Sequence, residues 1–208
     1  MISGILLAAG ESKRMAGAFK PLLKWGASTV IETCIDHLRR SRLGEIIVVL
    51  GHREAEVRAR LAGAGVEFAI NRDYQQGMVS SIKTALSLIS PQSDAILIAL
   101  VDQPMVGPEV IDSLIAAYTG NEKKIVLPTY QGQHGHPIII SKDYIDEIMN
   151  ISDDSAEGLR SIINAHRDEM LEVPVDSRAI LDDIDRPEDY ARLSQQVTPI
   201  YEHHKWHP

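Results

Sequence analysis

Apolar and polar positions follow two periods along the first half of the chain. "ISGILLA" (2–8), "EIIVVLG" (45–51), "GVEFAI" (65–70) and "DAILIALVD" (94–102) are short runs of aliphatic and β-branched residues with few polar breaks. Between them, residues 28–40, 53–62 and 78–89 bring apolar side chains back every third or fourth position. In the first of these, Val30, Ile31, Cys34, Ile35 and Leu38 share one face. Near-continuous apolar strands alternating with helices predict a parallel sheet covered on both sides. Pro108 opens a further helix to about Tyr118. The second half is less regular. Strands are expected at 124–130 and 136–141 around a glycine-rich turn, helices at 142–149 and 156–166, a strand at 170–175, and a helix at 187–194 opened by Pro187. Repeats, low-complexity tracts and linkers are absent, so residues 1–195 read as a single α/β domain. Residues 196–208 read as a polar tail, in which His203, His204 and His207 are expected to be unstructured rather than metal-binding.

Composition narrows the classes. The chain has 208 residues, 44% hydrophobic and 24% charged, as expected of a soluble globular domain large enough to bury its own core. No apolar run approaches the ~20 residues that span a bilayer, and the first residues lack a signal-peptide pattern. Cys34 is the only cysteine and falls in an apolar stripe, so it reads as a buried thiol, and the cytoplasm is the expected compartment. A net charge of −8 argues against nucleic acid and anionic membranes as partners. Residues 11–24 depart from that balance: Lys13, Arg14, Lys20 and Lys24 face only Glu11. A positive island on an acidic chain suggests an anion site.

Ligands of an open parallel sheet gather at the carboxyl ends of its strands. Two strand ends carry chemistry here, "LAAGESKRM" after the first and "LVDQP" after the fourth. The small Ala8-Ala9-Gly10 turn lets backbone N–H groups approach a ligand closely. Arg14 offers a planar fork for phosphate oxygens and Lys20 a point charge, with Lys13 nearby. Asp102 could hold Mg²⁺ against the same phosphates, since Mg²⁺ takes one or two carboxylates plus phosphate and water. The patterns GxxxxGK[ST] and GxGxxG are both missing, which disfavours a standard ATPase or a hydride-transfer enzyme.

Five ordered segments carry a family resemblance. "LAAGESKRMAGAFKPLL" resembles the signature loop LA[AG]GxSxRMGxxxKxLL of MobA-like nucleotidyltransferases, the molybdenum cofactor guanylyl- and cytidylyltransferases. "NRDYQQGMVSSIKTAL", "LIALVDQPMV", "PTYQGQHGHPIIIS" and "LDDIDRPEDYARL" are similar to further segments of that family, in order, over about residues 3–193. The resemblance implies a three-layer Rossmann-like fold with a mostly parallel sheet of about seven strands. It also implies transfer of CMP from CTP to the phosphate of molybdopterin, with pyrophosphate released. The GHP and DIDxPEDY segments, and Ala9 (LAAG rather than LAGG), resemble the cytidylyl branch, which supplies molybdoenzymes of the xanthine dehydrogenase type.

Site roles carried over by the resemblance fall on particular residues. Leu7, Ala8, Ala9 and Gly10 line the nucleotide, Arg14 holds the β- and γ-phosphates, and Lys20 holds the α-phosphate. Asn71, Gly77 and Ser81 lie beside base and ribose, with Asn71 alternatively a turn cap and Ser81 alternatively only a helix N-terminal residue. Asp102 and Asp185 hold Mg²⁺, although the acidic cluster of Asp182, Asp183 and Asp185 could equally serve the helix that starts at Pro187. Gln103, Pro104, Gly135 and His136 face the acceptor, with His136 alternatively a hydrogen-bonded histidine at a strand start. Two residues depart from the family pattern: Ala16 stands where glycine is usual, and Arg186 where threonine is usual. Other phosphorylated acceptors (a sugar phosphate or methylerythritol phosphate) and a non-catalytic pterin-cofactor-binding accessory role stay open at this point.

Overall fold

A computed structural model describes residues 1–153 and 155–197; the expected loose tail therefore lies almost wholly outside the described residues. The strands, in chain order, are β1 (Ile2–Ala8), β2 (Lys24–Trp25), β3 (Ser28–Thr29), β4 (Glu45–Leu50), β5 (Glu67–Ile70), β6 (Ala95–Leu100), β7 (Ile125–Tyr130), β8 (Gln133–His134), β9 (Ile138–Ser141) and β10 (Met170–Pro174). The α-helices are α1 (Val30–Arg40), α2 (Glu54–Arg60), α3 (Met78–Leu86), α4 (Pro108–Thr119), α5 (Ile145–Asn150), α6 (Arg160–Ala165) and α7 (Pro187–Ser194).

The main sheet runs in the order β10-β7-β9-β6-β1-β4-β5, with β8 paired to β7. Strand β1 lies inside the sheet, parallel to both β4 and β6, and all seven of its residues are buried. Its side chains alternate between two cores. Ile2, Leu6 and Ala8 meet Ile31, Ile35 and Leu38 of α1, Val57 of α2, and Ile111 and Leu114 of α4 on one face. Ile5 and Leu7 meet Ile82 of α3, Ile148 of α5 and Ile162 of α6 on the other. This is why the strands read as unbroken apolar runs: both faces are covered. The result is a three-layer α/β fold, as the alternating pattern implied.

Three features differ from the pattern reading. Strand β9 runs antiparallel to both β6 and β7, so the sheet is mixed rather than uniformly parallel. Residues 28–29 do not begin a helix. They pair with β2 across a hairpin turned at Gly26, whose φ of +59° favours glycine. The helix starts at Val30 because Thr29 and Glu32 form a capping box, with Glu32 accepting from the Thr29 N–H at 2.8 Å. Residues 133–134 form a short strand of their own, joined to β7 by Gln131-Gly132, both at positive φ, as a two-residue hairpin requires. Among the described residues, no helix is long and apolar enough to cross a membrane.

Candidate active site

The carboxyl ends of β1 and β6, neighbours in the sheet, open onto the same edge, because the two strands are parallel and in register through Leu7 and Leu100. The chain leaves β1 through Ala8 and Ala9, which are buried on opposite faces of the sheet, and reaches Gly10 in the open. A methyl group at Gly10 would meet nothing of the protein within 4 Å. The Ala9 carbonyl accepts from the His52 N–H at 3.0 Å, tying the loop to the end of β4. His52 in turn lies between the rings of Phe19 and Tyr74.

The loop then folds back on itself. Ser12, at φ +57°, accepts the Lys20 N–H on its hydroxyl oxygen at 3.0 Å, which closes the turn and fixes where Lys20 starts. Ala16 adopts φ +49° and Gly17 φ +90°. Ala16 thus keeps the left-handed backbone for which glycine is usual, at a cost of about 1 kcal/mol. Ser12 has no charge to mark it, but it is a fixed letter of the loop pattern.

Four charged side chains converge at this edge. Lys20 Nζ lies 3.0 Å from Asp102 Oδ2 and 2.9 Å from Asp185 Oδ1. Arg14 Nη2 donates to the same Asp185 oxygen at 2.8 Å. Burial alone would lower the Lys20 pKa, but the two carboxylates outweigh it and the value is raised. Burial pushes Asp185 up, yet Lys20 and Arg14 prevail and hold it below the ordinary 3.8. Lys13 is not part of the group; it is exposed and pairs with Glu11 at 2.8 Å.

Asp185 comes from far along the chain, and backbone contacts bring it in. The Ile184 N–H donates to the Asp102 carbonyl at 2.8 Å. Asp189, in the first turn of α7, accepts from the N–H groups of Asp185 and Arg186. Asp185 is therefore held from both sides, and the acidic cluster serves the helix as well as the site. Arg186 itself adds no contact that explains its departure from the family pattern. Asp182 is engaged elsewhere, by Arg178 and Arg192. Asp183 is raised by burial, against a lowering from Gln103 and with Asp102 and Asp185 raising it further.

Several expected contact residues take supporting places. Gln103 is buried, and its amide donates to the Ile180 carbonyl at 3.1 Å and to Asp183 at 2.7 Å; Pro104 is buried beside it. These two brace the 178–185 segment rather than lining an open acceptor face. Asn71 and Ser81, expected beside the base, are buried as well. The Asn71 amide donates to Ser80 and Ser81 at 2.9 and 3.0 Å and accepts from Asp73, fixing the first turn of α3 at the end of β5. Gly77 stands before that helix at φ +115°, a backbone that glycine adopts without strain.

Gly135 and His136 lie at the start of β9. A Cβ at Gly135 would fall 2.3 Å from the Ile180 carbonyl oxygen, and the His136 N–H donates to that same oxygen at 3.2 Å. The antiparallel pairing of β6 and β9 reaches Ile98 and Ile138, two residues from His136, and Asp102 lies near enough to act on the His136 ring electrostatically. Burial lowers the pKa of His136, Asp102 raises it and Arg160 lowers it, with a net lowering that favours the neutral ring at pH 7. Arg160 opens α6, next to Leu159, which is packed in the core with Ile138. It is a residue that motif reading missed; being a lone cation in an irregular stretch, it carried no local signal.

No group of three or more His, Cys, Asp or Glu side chains converges as a metal cage among the described residues. Asp102 and Asp185 nonetheless point oxygens at one cation-sized position, at present the Lys20 ammonium. Two hard oxygen donors of this kind fit Mg²⁺, which takes one or two carboxylates and completes its shell from water and other oxygen ligands.

Comparison with known proteins agrees with the fold. Over 200 residues the chain is 28% identical to the molybdenum cofactor cytidylyltransferase of Escherichia coli (strain K12), covering 96% of this chain and 98% of that protein. It is 30% identical over 149 residues to nicotine blue oxidoreductase of Paenarthrobacter nicotinovorans, covering 67% and 70% of the two chains. The crystal structure of Rv0371c from Mycobacterium tuberculosis H37Rv in complex with manganese matches 94% of this chain and 99% of that one, with a TM-score of 0.80 and 28% identity. Residues 4–170 match the family described as the MobA-like NTP transferase domain. That span takes in the β1 loop, Asp102 at the end of β6 and the His136 turn, and on it the chain belongs to the MobA-like NTP transferase family.

Proposed function

We propose that this nucleotidyltransferase moves CMP from CTP to the terminal phosphate of molybdenum-loaded molybdopterin, forming the cytosine dinucleotide cofactor. The observation that carries the reading is the convergence of Arg14, Lys20, Asp102 and Asp185 on one strand edge beside the open Gly10 turn. An oxygen of the acceptor phosphate attacks the α-phosphorus of CTP, the bond from that phosphorus to the bridging oxygen breaks, and pyrophosphate leaves with the bond's electrons. The attacking phosphate is already anionic, so the step needs positioning and charge neutralisation more than a strong base. Lys20 and Arg14 supply two positive charges to the triphosphate, and the Gly10 turn gives it room.

Asp102 and Asp185 are the residues that would hold Mg²⁺, which supplies charge neutralisation at the phosphates. The choice of cytosine is supported by Ala9 and by the near full-length match to the Escherichia coli enzyme. Ala9 is buried on the α3 side of the sheet, so its methyl sets how closely the loop approaches that helix. A recipient enzyme of the xanthine dehydrogenase type and a cytoplasmic setting follow from the same reading.

The test is incubation of the purified chain with each labelled NTP, Mg²⁺ and molybdenum-loaded molybdopterin. Pyrophosphate release is expected with CTP, loss of turnover in Asp102→Ala with the fold retained, and a rise of the GTP/CTP ratio in Ala9→Gly. Release with CTP only when a sugar phosphate or methylerythritol phosphate replaces the pterin would move the acceptor. Cofactor binding without turnover under any NTP would sink the enzymatic reading and favour a carrier. A redox reading, raised by the nicotine blue oxidoreductase relative, would require oxidation of a reduced nicotinamide nucleotide in the same preparation.

A further inference from the structure

The cations that a triphosphate needs are already engaged. Lys20 Nζ sits between Asp102 Oδ2 and Asp185 Oδ1 at 3.0 and 2.9 Å, and its side chain is only 11% exposed. Arg14 takes the same Asp185 oxygen from the solvent side at 2.8 Å. These four side chains sum to zero charge, so Asp102 and Asp185 are already paired with cations before a divalent ion arrives, with Asp183 a further acid nearby. We propose that Lys20 is the resting occupant of the metal position, and that a divalent cation replaces it only when a triphosphate receives Lys20 and Arg14. The proposal rests on the reading of Asp102 and Asp185 as the metal ligands.

The physical case is one of space and sign. A Mg²⁺ ion binds oxygen at about 2.0–2.1 Å. An ion that close to both carboxylate oxygens would lie in the volume that the ammonium fills, against a like charge. Lys20 cannot leave for nothing. Its side chain is largely shielded from water, and moving its charge away from both partners within that setting is unfavourable. A triphosphate beside Gly10 changes the balance by offering anionic oxygens to both cations at once. Metal and nucleotide then favour each other, and by linkage each raises the affinity of the other by the same factor. Lys20 thus has two partners in sequence, carboxylates at rest and phosphate when loaded.

Mn²⁺ binding followed by electron paramagnetic resonance tests this on the full chain without turnover. In the absence of nucleotide, Lys20→Met is expected to bind Mn²⁺ at least about tenfold more tightly than the wild type, with a smaller gain in Arg14→Met. Adding α,β-methylene CTP, which cannot release pyrophosphate, should tighten Mn²⁺ binding to the wild type by about tenfold or more, and by clearly less in Lys20→Met. Equal Mn²⁺ affinity in wild type and Lys20→Met, with Asp102→Asn abolishing both, overturns the replacement while leaving the ligands in place. If Asp102→Asn leaves Mn²⁺ binding unchanged in the presence of the analogue, the ligand assignment fails and the proposal with it. Should Lys20→Met not fold, Lys20→Gln serves, and the wild-type coupling to the analogue decides on its own: no coupling overturns the proposal.

Discussion

Two glycines at the candidate site do opposite jobs. At Gly10 an added methyl meets only space outside the protein, whereas at Gly135 it runs into the Ile180 carbonyl oxygen and side chain. Gly10→Ala is therefore expected to keep the wild-type melting temperature and to weaken CTP binding by about tenfold, because the methyl stands where phosphate would approach backbone. Gly135→Ala is expected to lower stability by about 1–3 kcal/mol, the usual range for forced overpacking. Thermal melts with and without CTP check both, and the reverse pattern would refute the distinction. At this scale the sequence was informative where chemistry is exceptional for its surroundings: Arg14 and Lys20 on an acidic chain, Asp102 closing an apolar strand. Ser12 was marked only by its place in the loop pattern, because a serine in a loop looks the same whether or not it accepts a backbone N–H. For Asn71 and Ser81 the sequence left a turn-capping or helix-starting role open beside a ligand contact, and their polar groups do bond one another, as those of Gln103 bond the Ile180 carbonyl and Asp183.

The elements that matter most are the turn after β6 and the 178–185 segment laid against it. Gln103 donates to the Ile180 carbonyl and Asp183, and the Asp102 carbonyl accepts from Ile184, so the two stretches form one brace. Gln103→Leu is expected to cost about 1–3 kcal/mol through loss of its two hydrogen bonds, one of them to the Asp183 carboxylate, seen as a lower urea midpoint. Turnover should fall as well, although the chemistry of Asp102 is untouched, because Asp185 loses its placement. Unchanged stability would mean that the brace is dispensable. The strands flanking this turn were legible from unbroken apolar runs, but the direction of β9 was not. A strand buried on both faces carries no mark of its orientation. The β2–β3 hairpin was missed because two-residue strands have no period, while the start of α1 was readable in Thr29 and Glu32 at capping-box spacing.

For the whole molecule, the ion-pair group sets a pH signature. The folded pKa of Asp185 lies below its ordinary 3.8, so its stabilising contribution is complete above that value and is lost as pH falls through the lower folded one. Lys20, raised above 10.5, contributes below that value and loses its share as pH rises through the raised one. Asp185→Asn should therefore lower the urea midpoint at pH 7, and the gap to wild type should close as pH drops below 3.8. A gap that stays constant into acid would show that the loss is one of packing rather than charge. The three-layer arrangement could be read from pattern alone, since helices and doubly buried strands alternate plainly. The meeting of the two ends of the chain could not, since no local period relates residue 20 to residue 185.

That long reach has a consequence for how the protein comes into being. Lys20 and Asp185 are separated by 165 positions, and Asp185 follows β10, the last strand of the sheet among the described residues. A chain growing on the ribosome exposes its cationic loop early and can lay down every one of those strands before the second carboxylate has been made. Until then Asp102 faces Lys20 alone and the site is half built. The ion pairs of Asp185 with Lys20 and Arg14 are thus among the last contacts of the site that the growing chain can make.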